Sequence, residues 1–114
     1  MKKFTILLPA LVLILFTANP SAAEKITFSR VSGGDFYIYT ADSATGKTTR
    51  LCKGYDPEIS PDGGTVAYTQ YDKTGGRFIA FCDIASRKSR VIKEVPGKNS
   101  YGPRWSSNGR RLLY

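Results

Sequence analysis

The sequence predicts an all-β protein made of repeated antiparallel strands. Residues 57–68 recur as residues 103–114 with four identical positions. The chain after residue 23 is rich in Tyr, Phe, Thr, Val and Ile, which favour strands. Gly and Pro interrupt it at short intervals, and no apolar spacing of three and four residues persists to indicate a helix.

Residues 1–23 are predicted to be a signal peptide. Lys2 and Lys3 form a basic head, an apolar run extends from Phe4 to Ala18, and Ser-Ala-Ala at residues 21–23 is a small-residue cleavage site. The run of 15 residues is shorter than the roughly 20 that cross a bilayer. We therefore expect cleavage after Ala23, a periplasmic or secreted protein, and no stable membrane span in the mature chain.

The mature segment, residues 24–114, carries a net charge of +6 once the two lysines of the leader are removed from the total of +8. That surplus would suit an acidic partner or an anionic surface. The basic residues are spread along the segment and form no block, which favours ordinary solvated strand faces and loops. An exported chain without a nucleic-acid-binding motif is not expected to bind nucleic acid.

The first strands follow directly from the alternation of apolar and polar residues. Residues 25–29 alternate, residues 32–35 form a turn, and residues 36–41 form the next strand. A second turn at residues 42–46 leads to a strand over residues 47–52.

The recurring segment is a hairpin with recognisable turn chemistry. Ser60, Pro61, Asp62 and Gly63 suit the four places of a type I turn in that order. The second copy has Ser106, Ser107, Asn108 and Gly109, and Asn-Gly is itself a strong hairpin signal.

The hairpin belongs to a longer repeat. Residues 65–69 match residues 25–29 at an offset of 40, and residues 79–92 match residues 38–51 at an offset of 41. The second hairpin copy follows the first at an offset of 46, because the loop before it is longer. Four short strands in a unit of this length are typical of a β-propeller blade.

The turn motifs also carry a family resemblance. Residues 59–63, Ile-Ser-Pro-Asp-Gly, and residues 105–109, Trp-Ser-Ser-Asn-Gly, resemble the WD40-like repeat of the TolB-type propellers, in which a strand ends in Trp-Ser-Pro-Asp-Gly. The aromatic residue is missing from the first copy and Pro-Asp from the second. The resemblance covers essentially the whole mature chain and implies antiparallel four-stranded blades.

The predicted domains are the signal peptide and an incomplete propeller. Blade one covers residues 24–56, blade two residues 57–100, and a third blade begins over residues 101–114. Propellers close with about 4–8 blades. We therefore expect a fragment of a longer propeller or, alternatively, self-association through open propeller edges.

The sequence predicts neither catalytic residues nor a metal or cofactor site. It contains no His, which excludes Ser-His-Asp and Cys-His catalysis and His-dependent metal sites. The loop carboxylates are interpreted as turn formers, and the paired glycines as hairpin turns rather than phosphate loops. These residues are Asp56 with Glu58, Asp72 with Asp83, Gly33-Gly34 and Gly75-Gly76.

Two further groups of side chains have open interpretations. Cys52 and Cys82 fall on neighbouring blades and are either a disulfide or two small buried residues. A set of large side chains is predicted to be buried between blades, with an aromatic ligand platform as the alternative. This set is Ile59, Tyr68, Phe81, Trp105 and Tyr114.

The resemblance implies a function that is not catalytic. TolB-type propellers present loops to partner proteins of the cell envelope, and the Tol–Pal system is the partner that the resemblance implies. Similar propellers also form the N-terminal domain of prolyl-oligopeptidase-type serine peptidases, and others are sugar-binding or lyase-type propellers. Fold-level likeness alone does not separate these functions, and the expected one is an exported protein-interaction module.

Overall fold

The computed structural model describes residues 24–114, so the predicted signal peptide lies outside the described residues. The described chain is all-β, and each strand runs antiparallel to its neighbours, which confirms the predicted fold class. No helix in this part of the chain could span a bilayer. The strands are β1 (Lys25–Ser32), β2 (Asp35–Asp42), β3 (Thr48–Lys53), β4 (Tyr55–Ile59), β5 (Thr65–Tyr71), β6 (Arg77–Asp83), β7 (Ser89–Val91), β8 (Arg104–Trp105) and β9 (Leu112–Leu113).

The strands form three sheets in chain order. The first sheet is β1-β2-β3, the second is β4-β5-β6-β7, and the third is β8-β9. The second sheet has the four strands predicted for a blade. By the sequence repeat, β1 corresponds to β5, so the described residues contain no counterpart of β4 in the first sheet.

The sequence repeat is also a repeat of strand register. Phe28 pairs with Tyr39 in the first sheet, and Tyr68 pairs with Ala80 in the second. These pairs are related by the offsets of 40 and 41 residues that the sequence shows. The two hairpins are therefore equivalent structures with different side chains.

The core lies between the first and second sheets. A bulge next to Ile38 adds one residue, Leu51, to β3, and Leu51 is buried. The next residue, Cys52, also packs against the core. The buried cluster consists of Ile38 and Leu51 from the first sheet and Val66, Tyr68, Ala80 and Cys82 from the second.

The two copies of the recurring hairpin have the same turn geometry. Gly63 donates its N–H to Ser60 O at 2.8 Å, and Gly109 donates its N–H to Ser106 O at 2.9 Å. In both copies, the N–H five residues after the serine donates to the serine Oγ at 3.0 Å. Both glycines have a φ near +70°, at +74° and +69°, in the left-handed region that glycine adopts without strain.

The large side chains predicted to be buried have different outcomes. Tyr68 is 1% exposed, while Ile59, Phe81 and Trp105 are half-buried. The rings of Phe81 and Trp105 stack with centroids 5.2 Å apart, so the third sheet packs on the second. The prediction is wrong for Tyr114, which is 55% exposed, because no other sheet among the described residues covers the end of the third.

Candidate binding cleft between the first two sheets

A cleft of about 260 Å³ opens where the first and second sheets meet. Three parts of the chain converge there: the β1–β2 turn, the β3–β4 connection and the end of β5. The β4–β5 turn with its Ser-Pro-Asp-Gly motif lies at the opposite end of the second sheet. The cleft residues are Gly34, Asp35, Phe36, Lys53, Gly54, Tyr55, Gln70 and Tyr71.

The β1–β2 turn positions one wall of the cleft. Ser32 pairs with Asp35, so only Gly33 and Gly34 connect the strands, with φ angles of +62° and +87°. Positive φ at both central residues is the geometry of the tight hairpin turns that match the twist of strands, and glycine adopts it without strain. The turn places Asp35 and Phe36 at the mouth of the cleft.

The β3–β4 connection is a single residue, Gly54. Its φ is +152°, and a Cβ built on it would lie 2.4 Å from Cδ2 of Tyr68. Only glycine fits this contact without a shift of the buried ring. The chain therefore passes from one sheet to the next through one residue, and the flanking Lys53 and Tyr55 both line the cleft.

Three aromatic rings form the apolar part of the cleft. Tyr55 stacks on Tyr71 with centroids 4.5 Å apart and an interplanar angle of 21°, and Phe36 packs against Tyr55 at 6.3 Å. Phe36 and Tyr71 remain 51% and 54% exposed. Their exposed faces can therefore accept an apolar group from outside.

The central ring also carries an unsatisfied polar atom. Tyr55 Oη is buried and has no hydrogen-bond partner within residues 24–114. Burial, followed by the neighbouring Tyr71 hydroxyl, raises the pKa of Tyr55, so the group is a neutral phenol that can donate. Buried polar atoms in folded proteins are almost always paired, so an unpaired hydroxyl beside the cleft is unusual.

An ion pair closes one side of the mouth. Lys53 Nζ lies 2.6 Å from Asp35 Oδ2, and both side chains are more than half exposed. The hydrogen bond from Lys53 to Asp35 raises the pKa of the lysine. The pair adds a donor and an acceptor to the cleft rim without adding net charge.

The sequence does not single out the cleft residues because each belongs to an ordinary strand end or turn. One usable signal is the adjacent pair Phe36 and Tyr37. Successive strand residues point to opposite faces, so two aromatic neighbours cannot both face one core, and one of the two rings must lie outside it.

The carboxylates interpreted as turn formers have different outcomes. The interpretation is wrong for Asp56 and Glu58, which lie inside strand β4 rather than in a loop. It is right for Asp72 and Asp83. Asp72 Oδ1 accepts N–H groups from Thr74 and Gly76 at 2.9 and 2.8 Å, and Asp83 accepts the N–H of Ser86 at 2.7 Å. Asp72 precedes β6 and Asp83 ends it, so the structure does not bring them together. Within residues 24–114, no group of three His, Cys, Asp or Glu side chains could hold a metal ion.

The structure does bring the two cysteines together. Cys82 is fully buried in the core cluster, and the half-buried Cys52 packs against that cluster from the first sheet. Both are free thiols in the structure.

Comparison with known proteins identifies the fold. No family model matches the chain, and no curated protein matches it. The structure is similar to TolB from Acinetobacter baumannii, with a TM-score of 0.64 and 22% identity over 77% of this chain and 23% of that one. It is also similar to the acylaminoacyl peptidase of Pyrococcus horikoshii, with a TM-score of 0.61 and 18% identity over 77% of this chain and 15% of that one.

These likenesses establish the architecture. The chain spans less than a quarter of the length of each of these two proteins, and the identities are low. Structural similarity at such low sequence identity shows the fold alone. The described chain is thus a set of incomplete β-propeller blades, with one four-stranded sheet between two shorter ones.

Proposed function

We propose that the chain is an exported, non-catalytic β-propeller segment that binds another protein of the cell envelope. The observation that carries the proposal is the cleft between the first two sheets, with its half-exposed rings of Phe36 and Tyr71. Aromatic side chains are enriched at protein interfaces because they bury a large area and lose little conformational entropy. The likeness to TolB supports a partner of the Tol–Pal kind.

The cleft defines the chemistry of the proposed contact. An apolar side chain of the partner inserts between the rings of Phe36 and Tyr71, which are already in place around Tyr55. Lys53 and Asp35 then contact polar groups at the rim.

Export and the absence of catalysis are parts of the same proposal. The basic head, apolar run and small-residue cleavage site of residues 1–23 support export to the periplasm or the cell exterior. The sequence has no His to serve as the base of a Ser-His-Asp or Cys-His site.

The test is export of the full chain followed by a binding measurement. The chain is expressed with its own leader and purified from the periplasm, and its first residue is determined; Glu24 is expected. The processed protein is then titrated with the periplasmic domain of a Pal-type lipoprotein by calorimetry. Phe36→Ala is expected to weaken binding about tenfold, as for a residue at the centre of an interface.

A matched control separates the cleft from general surface apolarity. Ile26 is 54% exposed, as Tyr71 is, but lies on β1 away from the cleft. Ile26→Ala should leave the affinity unchanged. Equal losses in Phe36→Ala and Ile26→Ala would reject the cleft as the site, and absence of binding by the parent chain would reject a Pal-type partner.

A second candidate follows from the other structural neighbour. The likeness to the acylaminoacyl peptidase supports the alternative that the chain is part of the propeller domain of a prolyl-oligopeptidase-type peptidase. The coding sequence after Tyr114 discriminates between the two. A Gly-x-Ser-x-Gly motif between a strand and a helix would favour the peptidase.

A further inference from the structure

The two cysteines of the chain meet at the junction of the first and second sheets. Cys52 lies at the end of β3 and pairs with Ile38, while Cys82 lies in β6 and pairs with Val66. They are 30 residues apart in the sequence, yet both contact the same apolar cluster. The two cysteines, one from each sheet, are therefore neighbours at this junction.

The surroundings of Cys52 keep its thiol neutral. Tyr68 from β5, Cys82 from β6 and Ser89 from β7 are its polar neighbours, and Ile38 lies opposite it in β2. Burial, followed by the adjacent Cys82 thiol, raises the pKa of Cys52 to about 11. No cation stands among these neighbours, so nothing beside Cys52 activates its sulfur as a catalytic nucleophile.

We propose that Cys52 and Cys82 form a disulfide bond that joins the first sheet to the second when the chain meets a disulfide donor. The donor is a small-molecule disulfide or a dithiol oxidase of an oxidising compartment. Cys52 is the entry thiol because it is half-buried in a strand at the edge of the first sheet, whereas Cys82 has no exposed surface.

The reaction consists of two thiol–disulfide exchanges. The Cys52 thiolate attacks one sulfur of the donor disulfide, which forms a mixed disulfide and releases one donor thiolate that takes up a proton. The Cys82 thiolate then attacks the Cys52 sulfur and releases the second donor thiol. Two protein thiols are oxidised to one disulfide and one donor disulfide is reduced to two thiols, so atoms and electrons balance.

The bond would cross-link two sheets that otherwise contact each other mainly through side-chain packing. It closes a loop of about 30 residues and so restricts the unfolded chain more than the folded one. For a chain of this size we expect the melting temperature to rise by about 10–20 °C on oxidation. Because only the thiolate reacts, oxidation should also be slow at neutral pH and accelerate as the pH rises toward the pKa of Cys52.

The experiment uses the processed full chain without denaturant. The protein is incubated with oxidised glutathione, the remaining thiols are alkylated in denaturant, and the mass is measured. The expected product is a monomer that has lost two hydrogens, takes up no alkyl group and melts at a higher temperature until dithiothreitol is added. Two alkylated thiols after prolonged incubation at alkaline pH, or disulfides only between chains, would overturn the proposal.

Two variants test the order of the steps. Cys82→Ala removes the second thiol and should retain one glutathione on Cys52. Cys52→Ser changes the half-buried position, which tolerates a polar atom better, and should take up no glutathione in the folded state. Circular dichroism establishes that each variant is folded, and if Cys82→Ala is unfolded, the Cys52→Ser result alone decides. Glutathione on Cys82 of folded Cys52→Ser would refute Cys52 as the entry thiol.

Discussion

The same face of the repeat is covered in one sheet and open in the other. In the second sheet this face carries Val66 and Tyr68, which are 0% and 1% exposed because the first sheet packs on them. In the first sheet the counterpart of Val66 is Ile26, which is 54% exposed. The hairpins share their register, so the difference comes from what lies in front of each face.

On the open face, arginine side chains lie over the tyrosine rings of the same sheet. Arg30 lies over the ring of Tyr39 at 4.7 Å, and Arg50 lies over the ring of Tyr37 at 4.6 Å. In the second sheet the positions of Arg30 and Arg50 are occupied by Gln70 and Val91. Arginines that lie on tyrosines give this face a polar surface without removing the apolar body of the sheet.

The largest expected effect comes from truncating the covered face. Tyr68→Ala should lower the free energy of unfolding by about 3–5 kcal/mol, since a fully buried aromatic side chain leaves a cavity between the sheets. Phe28→Ala, at the equivalent position of the open face, should lower it by about 1 kcal/mol, because Phe28 is half-buried and stacks only on Tyr39. Urea unfolding followed by circular dichroism measures both.

The difference between these two variants is the informative quantity. Equal losses would mean that Phe28 is covered as completely as Tyr68. That result would contradict the open face and would point to a second chain packed on it in solution. Sedimentation of the parent chain over a range of concentrations would then identify the complex.

Much of the architecture is readable from the sequence because the repeat rests on local chemistry. The Ser-Pro-Asp-Gly turn and the alternating strands each fix the conformation of a few neighbouring residues, and the repeat places them twice. The likeness to propeller structures confirms the fold that this pattern predicts. The predicted burial of Tyr114 is wrong because burial depends on a neighbouring sheet rather than on the residue itself.

The cleft is not readable in the same way. Phe36, Tyr55 and Tyr71 come from the ends of three separate strands, β2, β4 and β5, and their contacts depend on how two sheets pack. The single-residue link at Gly54 sets that packing, and a lone glycine between Lys53 and Tyr55 carries no distinctive signal in the sequence. Local patterns therefore predict the sheets but not the space between them.

A smaller effect compares equivalent turns in the two sheets. Asp42 and Asp83 are related by the repeat, and hydrogen bonds to their carboxylates, mainly from the N–H of Thr45 and of Ser86 respectively, lower the pKa of each below 3.8. A lowered pKa stabilises the fold above the unfolded pKa, and this contribution is lost as the pH falls through the folded pKa.

As the pH falls from about 5 to about 2, the free energy of unfolding should decrease less in Asp42→Asn and in Asp83→Asn than in the parent chain. The two variants should differ from the parent by similar amounts. The amide oxygen of asparagine can still accept the turn N–H groups, so the fold should persist in both variants. Urea unfolding at a series of pH values measures the slopes. A flatter slope in only one variant would show that the two turns are not equivalent.

The smallest effect on stability, and the sharpest test of the comparison, comes from giving the open face the residues of the covered one. The double variant Arg30→Gln, Arg50→Val should change the free energy of unfolding by about 1 kcal/mol or less, since exposed cation–π contacts contribute little. It should self-associate more strongly than the parent chain, because Tyr37 and Tyr39 lose the cations that cover them. Sedimentation velocity measures the association, and the double variant Lys73→Gln, Lys93→Gln, which removes two exposed cations outside the first sheet, controls for net charge. If the double variant stays as monomeric as the control, the arginines are ordinary surface residues, and the open face owes its solubility to the strands themselves.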